Sequence, residues 1–498
     1  MHSSLLRPVA ARALGSILLL VPALLLKAQN DTVPVADSTA QPHVQVFTLS
    51  QDELDNEAQS QDVSGLLQSS RDVFTSVAGY NFGAARFRIR GLDAENNPIS
   101  INGVRMNDLE TGWAPFSQWG GLNDVTRRME VHTGIQASRF GFGGIAGWSN
   151  IDARASGVRK GFRASYALTN RSYNNRLMGT YATGLMKNGW AFALSASHRW
   201  AGEGYIDGTY FYGTSYFLSA EKKLNERHSI GFTGFGVNLV QGRAGIATAE
   251  AYDLTGTHYY NPNWGYQAGE KRNARESRDH KPVLMVTDWY TPDSATTWTT
   301  SVFASFGRDG LTGLNWYDAK DPRPDYYRNF PSYYSETDPA YAATLTDAWQ
   351  NDVNTQQIDW DALYDANRNN LYALHDADGV SGDTLIGRRS KYIVEEVRDD
   401  LLRYGLNSAW SRQLDPRNTL TLGLMAQNQR ARNFKVMDDL LGGEFWVDVD
   451  QFAEQDFVDP DQSQNDLNNP NHVVTEGEEF GFKYDLNIRQ AEVFGQLE

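Results

Sequence analysis

From about residue 160 onward the chain alternates apolar and polar residues with a period of two, and this constrains the fold more than any other feature. Phe162, Ala164, Tyr166 and Leu168 alternate with Arg163, Ser165, Ala167 and Thr169; Trp190, Phe192, Leu194 and Ala196 alternate with Ala191, Ala193, Ser195 and Ser197. Such alternation puts one apolar face on a strand. Ten segments follow the rule, near 160–169, 176–185, 190–199, 214–224, 229–239, 282–291, 296–307, 402–412, 419–433 and 483–498. Every second connection is a tight turn, at Lys187-Asn188-Gly189, Asn225-Glu226-Arg227, Pro292-Asp293-Ser294 and Asp415-Pro416-Arg417. After a short first loop the others are long: 200–213, 240–281, 308–399 and 434–482. Strands of about ten residues with short turns at one end and long loops at the other predict a transmembrane antiparallel β-barrel in contact with outer-membrane lipid. Trp190, Tyr210, Phe211, Tyr212, Tyr216, Trp289, Tyr290, Trp298 and Trp410 fall at or near strand ends, where aromatic rings suit headgroup depth.

Composition removes several alternatives. The only long apolar run lies within the first thirty residues, so helical membrane spans, each needing about 20 apolar residues, are excluded. Thirteen Trp, 24 Tyr and 23 Phe argue against a disordered chain. A formal charge of −16 lacks the basic stripe that nucleic acid requires. The absence of Cys removes disulfides, thiolate metal sites and Cys nucleophiles. At the start, His2, Arg7 and Arg12 precede the apolar run Ala13 to Leu26, which reads as a signal peptide over 1–28 with cleavage near Ala28. Residues 29–43 are small and polar, a flexible tether.

Between 44 and 157 the texture is that of a small α/β domain. Strand-like segments at Val44 to Leu49, Arg86 to Arg90, Pro98 to Ile101 and Arg128 to Thr133 are separated by Gly-bearing turns, and a helix is expected after Ser60. Four motifs occur in order: Arg88-Ile89-Arg90-Gly91, Ile99 to Asp108, Met129-Glu130-Val131-His132-Thr133-Gly134, and Phe140-Gly141 to Gly147-Trp148-Ser149-Asn150-Ile151. This set resembles the plug domain of TonB-dependent outer-membrane receptors. The resemblance implies a mainly β fold, a plug at 44–157 and a barrel from 158 to 498, in the outer membrane of a Gram-negative bacterium. It implies that cargo lands on extracellular loops and the plug apex, that a Ton box pairs with TonB of the inner-membrane energising complex as an added strand, and that a surface lipoprotein is a possible further partner. Asp31, Thr32, Val33, Pro34 and Val35 occupy the place of a Ton box, and Arg90 with Glu130 that of a plug–barrel latch. The chain departs from the family at Thr133-Gly134-Ile135, where Arg-Gly-Pro is usual.

Ten strands cannot enclose a domain of that size, since a plugged lumen goes with about 22. The chain is therefore expected to be an incomplete barrel, the front half of a longer receptor, either a fragment or a truncated product. Candidate ligand contacts are Tyr80 and Phe82 in one plug loop, and Trp113, Phe116 and Trp119 in another. Residues 437–480 hold thirteen acids and no Lys or Arg; within them Asp448, Asp450, Asp459 and Asp461 are the weak candidates for a hard cation. Asp376 to Asp383 lacks the Gly and Glu positions of an EF-hand and reads as a surface turn. Gly141 to Ala146 imitates a dinucleotide fingerprint but precedes a strand, so no cofactor is expected and close packing explains the glycines. No hydrolase, metalloprotease or phosphate-loop motif is present, and the sequence points to no enzyme. The reading is an energised importer of a bulky nutrient such as a metal chelate, cobalamin, oligosaccharide or peptide. The alternatives are a barrel-anchored adhesin or envelope-assembly subunit and, third, a soluble β-rich carbohydrate binder.

Overall fold

A computed structural model describes residues 47–48, 75–81, 84–89, 91–170 and 173–498. The expected signal peptide, tether and Ton box at Asp31 to Val35, the helix after Ser60, and both Phe82 and Arg90 lie outside the described residues.

The first domain contains β1 (Phe47–Thr48), β2 (Thr75–Asn81), β3 (Ala84–Ile89), β4 (Ile99–Ile101), β5 (Val104–Arg105), β6 (Met129–Thr133) and β7 (Gly147–Ile151). Five form a sheet in the order β1-β6-β7-β4-β5, with β4 and β7 parallel, while β2 and β3 pair as a separate hairpin. Asn102 and Gly103 join β4 to β5 with φ of 48° and 80°. Positive φ at both central residues defines a type I′ hairpin, which Asn-Gly adopts at little cost. Gly144 and Gly147 sit where a Cβ would meet the backbone oxygens of Asn96 and His132 at 1.8 and 1.9 Å. Close chain approach, as expected, accounts for these glycines.

The second region is a wall of long strands: β8 (Gly161–Leu168), β9 (Asn175–Ala182), β10 (Trp190–Ala201), β11 (Tyr210–Asn225), β12 (His228–Gly242), then β13 (Trp264–Gln267) and β14 (Glu270–Asn273) in a loop hairpin, β15 (Glu276–His280), β16 (Val283–Asp293) and β17 (Thr296–Trp316). A second loop hairpin, β18 (Leu371–His375) with β19 (Thr384–Arg388), precedes β20 (Tyr392–Asp415) and β21 (Asn418–Asp439). The short pair β22 (Trp446–Val447) and β23 (Val473–Val474) leads to β24 (Glu479–Leu497). The wall is one eleven-stranded antiparallel sheet running from β8 to β24.

All ten expected strands are found, with two corrections. The segment near 282–291 begins earlier: β15 and β16 lie end to end between β12 and β17, divided at Lys281-Pro282. Pro282 has no N–H to donate, so the ladder breaks there and resumes beyond it. Several strands also run past their expected ends, β17 to Trp316 and β20 back to Tyr392. In those extensions burial no longer alternates, Tyr392, Ile393 and Val394 being buried in succession and most of 308–316 half-buried, so the two-residue apolar signal fades while the backbone pairing continues.

The wall is inside out relative to a water-soluble sheet. In β10, Trp190, Phe192 and Leu194 are exposed while Ala193, Ser195, Ser197 and Arg199 are buried. Leu218, Val286, Val302 and Tyr404 face outward in the same phase. Inward hydroxyls meet across neighbouring strands: Thr180 with Ser195 at 2.8 Å, Thr287 with Ser301 at 2.9 Å, and Ser411 with Thr421 at 3.0 Å. Apolar-out and polar-in alternation is the pattern of a transmembrane barrel wall. Tyr290, Trp298 and Trp410 stand opposite one another across three strands near the short turns, and Trp190 is exposed at a strand end. Phe211 and Trp289 depart from the expected belt, because both fall on the inward phase and are buried.

Each short turn opens on Asn or Asp. Asn188, Asn225, Asp293 and Asp415 all accept, through Oδ1, the backbone N–H two residues on. That bond closes the turn locally and sets the hairpin register. At the opposite end the long loops fold on each other. Asn367 is fully buried, accepts the N–H groups of Lys391 and Tyr392, and donates to the Leu440 carbonyl. Trp360, Leu363, Ile358 and Leu441 pack around it.

Candidate functional site

The plug lies against the polar face of the wall, and side-chain to backbone hydrogen bonds join them. Arg403 of β20 donates to the carbonyls of Arg105 at 2.8 Å and Asn107 at 2.9 Å, and to Gln427 at 2.7 Å. Ser301 donates to the Asn102 carbonyl at 2.7 Å, and Ser215 to that of Gly120 at 2.6 Å. Glu221 accepts from the Ser156 N–H, and Glu492 from the Phe142 N–H. Buried backbone groups left unpaired are costly, so the wall supplies the partners that the irregular plug loops lack. None of these wall residues stood out singly in the sequence. The available signal was a polar or charged residue on the strand phase opposite the aromatics, as with Arg403 beside Leu402 and Tyr404.

At the long-loop side the plug ends in an apex loop, residues 108–118, whose shape follows from its sequence. Asp108 Oδ1 accepts the N–H groups of Glu110 and Thr111, both at 2.9 Å, and the Asp108 N–H donates to the Trp113 carbonyl. Gly112 has φ of 75°, a conformation that side-chain-bearing residues rarely take. The loop presents Trp113 and Glu110 to a cavity of about 340 Å³ shared with the wall residues Lys281, Asp309, Asp399 and Arg403. Lys281 bridges Asp309 and Asp399 at 3.4 Å each. Burial, with Asp399 and Asp108 nearby, pushes the Glu110 carboxyl above its ordinary value, and Lys281 offsets part of this. Among the described residues, Ser305 Oγ, Asp399 Oδ1 and Asn433 Nδ2 are buried atoms without a hydrogen-bond partner, and all three residues line this cavity.

A larger cavity, about 840 Å³, lies at the short-turn end between the plug and strands β16 and β17. Arg127 and Arg163 pair with Asp124, Arg128 and Arg154 with Asp152, and Arg139 with Glu130, but with Arg159 the lining holds six arginines against three acids and stays positively charged. The smaller apex cavity, on the side reached from the long loops and with unmet hydrogen-bonding capacity, is the better candidate site.

The expected site residues separate in space. Of the aromatic candidates Trp113 lines the apex cavity. Trp119 is fully buried in the core with Phe116 edge-on to it at 5.5 Å, so it packs the domain and does not line the apex cavity. Phe116 is half-buried against the same core. Tyr80 lies in β2. Glu130 bonds to Arg139 at 2.7 Å and His132 at 3.0 Å, both within the plug segment. Burial alone would raise its carboxyl, but Arg139 and His132 outweigh that and hold it below the usual range.

The acidic segment does not gather a metal centre. Among the described residues no group of three His, Asp or Glu side chains is placed to hold a metal ion. Asp448 accepts from the Asn465 side chain and the Gly481 N–H, Asp450 caps the helix Gln451–Asp456, and Asp459 accepts the Asp461 N–H, so three of the four hard-cation candidates hold the loop's own fold. Asp376 accepts the Gly382 N–H, closing the surface turn expected there.

Comparison with known proteins places this geometry. The TonB-dependent Receptor Plug Domain family matches residues 38–148. None of the curated proteins matches the chain. Among solved structures, the FpvAI–pyocin S2 complex is similar with a TM-score of 0.50 and 10% identity, over 90% of this chain and 47% of that one. The ferripyoverdine receptor of the Pseudomonas aeruginosa outer membrane aligns with a TM-score of 0.49 and 9% identity, over 90% and 48%. The siderophore receptor PiuA of Acinetobacter baumannii aligns at 0.45 and 13%, over 87% and 53%. The chain thus spans about half the length of the solved structures it matches. It carries, at residues 38–148, a plug domain of the TonB-dependent receptor family, set against an antiparallel wall with the fold of those receptors.

Proposed function

We propose that the chain works as a TonB-dependent outer-membrane receptor that imports a bulky nutrient by energy-coupled movement of its plug. The observation that carries the reading is a plug of that family seated against the polar face of a sheet whose other face is apolar and aromatic. A wall built this way has its free-energy minimum with lipid outside and the plug inside. Cargo arrives from the long-loop side and meets the apex cavity beside Trp113. The pull comes from TonB, which pairs with the segment Asp31 to Val35 as an added strand. Plug and wall are held by hydrogen bonds and by one shared apolar cluster, in which Ile99, Ile101 and Trp119 of the plug join Phe217, Phe235, Met285 and Phe303 of the wall, so the pull must work against both.

Energy coupling is tested by screening nutrients for growth that depends on both this receptor and TonB, then deleting residues 31–35. Import predicts that growth falls to that of the receptor-null strain. A deletion that leaves the receptor's phenotype intact would overturn import and favour the barrel-anchored surface protein.

A further inference from the structure

Resting on the reading of the apex as the cargo site, we infer that this cavity takes a neutral, hydroxyl-rich group, the terminal sugar unit of a saccharide cargo, held by Asp399, Asn433 and Ser305.

The charges around the cavity are close to balance. Asp108, Glu110, Asp309 and Asp399 line it together with Arg105, Lys281 and Arg403. Lys281 is shared by Asp309 and Asp399 at 3.4 Å each, Arg403 gives its guanidinium to the carbonyls of Arg105 and Asn107 and to Gln427, and Asp108 accepts from the apex loop and from Gln429. One group of each sign is left over: Arg105 has no ion pair among the described residues, and the Glu110 side chain is exposed. A cargo with a net charge of either sign would be drawn to one of these groups and repelled by the other, while a neutral cargo is repelled by neither.

The unmet hydrogen bonds are of both kinds. Asp399 Oδ1 is a buried acceptor, Asn433 Nδ2 a buried donor, and Ser305 Oγ, in a residue 5% exposed, can serve as either; none has a partner among the described residues. Buried polar atoms are normally satisfied, so three orphans around one cavity mark where a ligand's polar groups belong. Asp399 of β20 and Asn433 of β21 stand directly opposite each other in register, which sets an unspent acceptor beside an unspent donor. An ammonium group can only donate and a carboxylate can only accept. A hydroxyl does both from a single oxygen, giving its proton to Asp399 and accepting from Asn433, whereas the N–H and C=O of an amide are separate atoms that point opposite ways. Val283, Phe303 and Leu401 form an apolar side of the cavity, against which the C–H face of a sugar ring can lie. At about 340 Å³ the cavity is at the lower end of the range of about 300–1,000 Å³ that small-molecule sites occupy, so it holds one end of a bulky cargo rather than the whole.

The test is titration calorimetry on the purified full chain in a detergent without a sugar headgroup. The neutral probes are maltotriose, cellotriose, xylotriose, mannotriose and chitotriose; the trimer of galacturonate serves as the anion, that of glucosamine as the cation and N-acetyl-trialanine amide as a neutral peptide. At least one neutral sugar is expected to bind roughly tenfold or more tightly than the charged trimers and the peptide. Ser305→Ala and Asn433→Ala should each weaken that binding severalfold and leave the unfolding midpoint of the free protein in place, because neither Ser305 Oγ nor Asn433 Nδ2 has a partner among the described residues. A charged trimer or the peptide binding as tightly as the best sugar, no binding of any sugar, or an affinity unchanged in both variants would each overturn the inference. The growth test with residues 31–35 deleted does not depend on these outcomes, so import can survive the loss of the saccharide cargo.

Discussion

The plug meets its surroundings in two different ways. Along its flank, loop carbonyls and N–H groups are matched by wall side chains, as Arg403 does for Arg105 and Asn107, and Ser301 for Asn102. At its apex, three buried polar atoms on the wall have no partner among the described residues. The flank is matched at these backbone groups although Trp119 Nε1 and Ser197 Oγ are unpartnered there among the described residues, while the apex gathers three such atoms around one cavity. An interface that must hold at rest and release under load satisfies itself; a recognition surface keeps capacity in reserve.

The largest expected effect comes from breaking the flank. Arg403→Met removes the donor for the plug carbonyls, and stranding such buried groups costs about 1–3 kcal/mol. Thermal unfolding of the purified protein should show a lower midpoint, and limited proteolysis should cut the plug near residues 105–107 faster; an unchanged midpoint would mean that the flank is not held as described. A smaller effect sharpens the apex. Since burial, Asp399 and Asp108 raise the Glu110 carboxyl, its charge is lost at a higher pH than that of an ordinary glutamate, whose value is near 4.3. The Glu110 carboxyl should therefore begin to take up its proton above that value as pH falls, which carboxyl-carbon NMR of the labelled protein reads, and Asp399→Asn should move the onset back down. A pH profile identical in the two proteins would remove Glu110 from the site.

Much of the fold was legible because strand periodicity and turn chemistry are local. The ten wall segments, the tight turns at Asn188, Asn225, Asp293 and Asp415, and the Asn102-Gly103 hairpin are each written in a few adjacent residues. The break at Lys281-Pro282 was missed because the apolar phase ends where the proline interrupts the ladder. The site was less legible. Trp113 lines the apex cavity while Trp119, which carries the same residue signal, lies in the core, since exposure depends on packing that no local pattern encodes. Asp309, Asp399, Ser305 and Asn433 come from strands about 200–320 residues beyond the apex loop, and the sheet alone brings them together.

The central claim is that the two phases of each wall strand face different solvents. The chain has no cysteine, so single Cys probes can be placed without background labelling. Spin-labelled lipid should quench a fluorophore attached at Leu194, Leu218 or Val302 in the reconstituted protein and leave one at Ser195, Ser219 or Ser301 bright. Quenching at the serine positions, or equal quenching at both sets, would contradict the account.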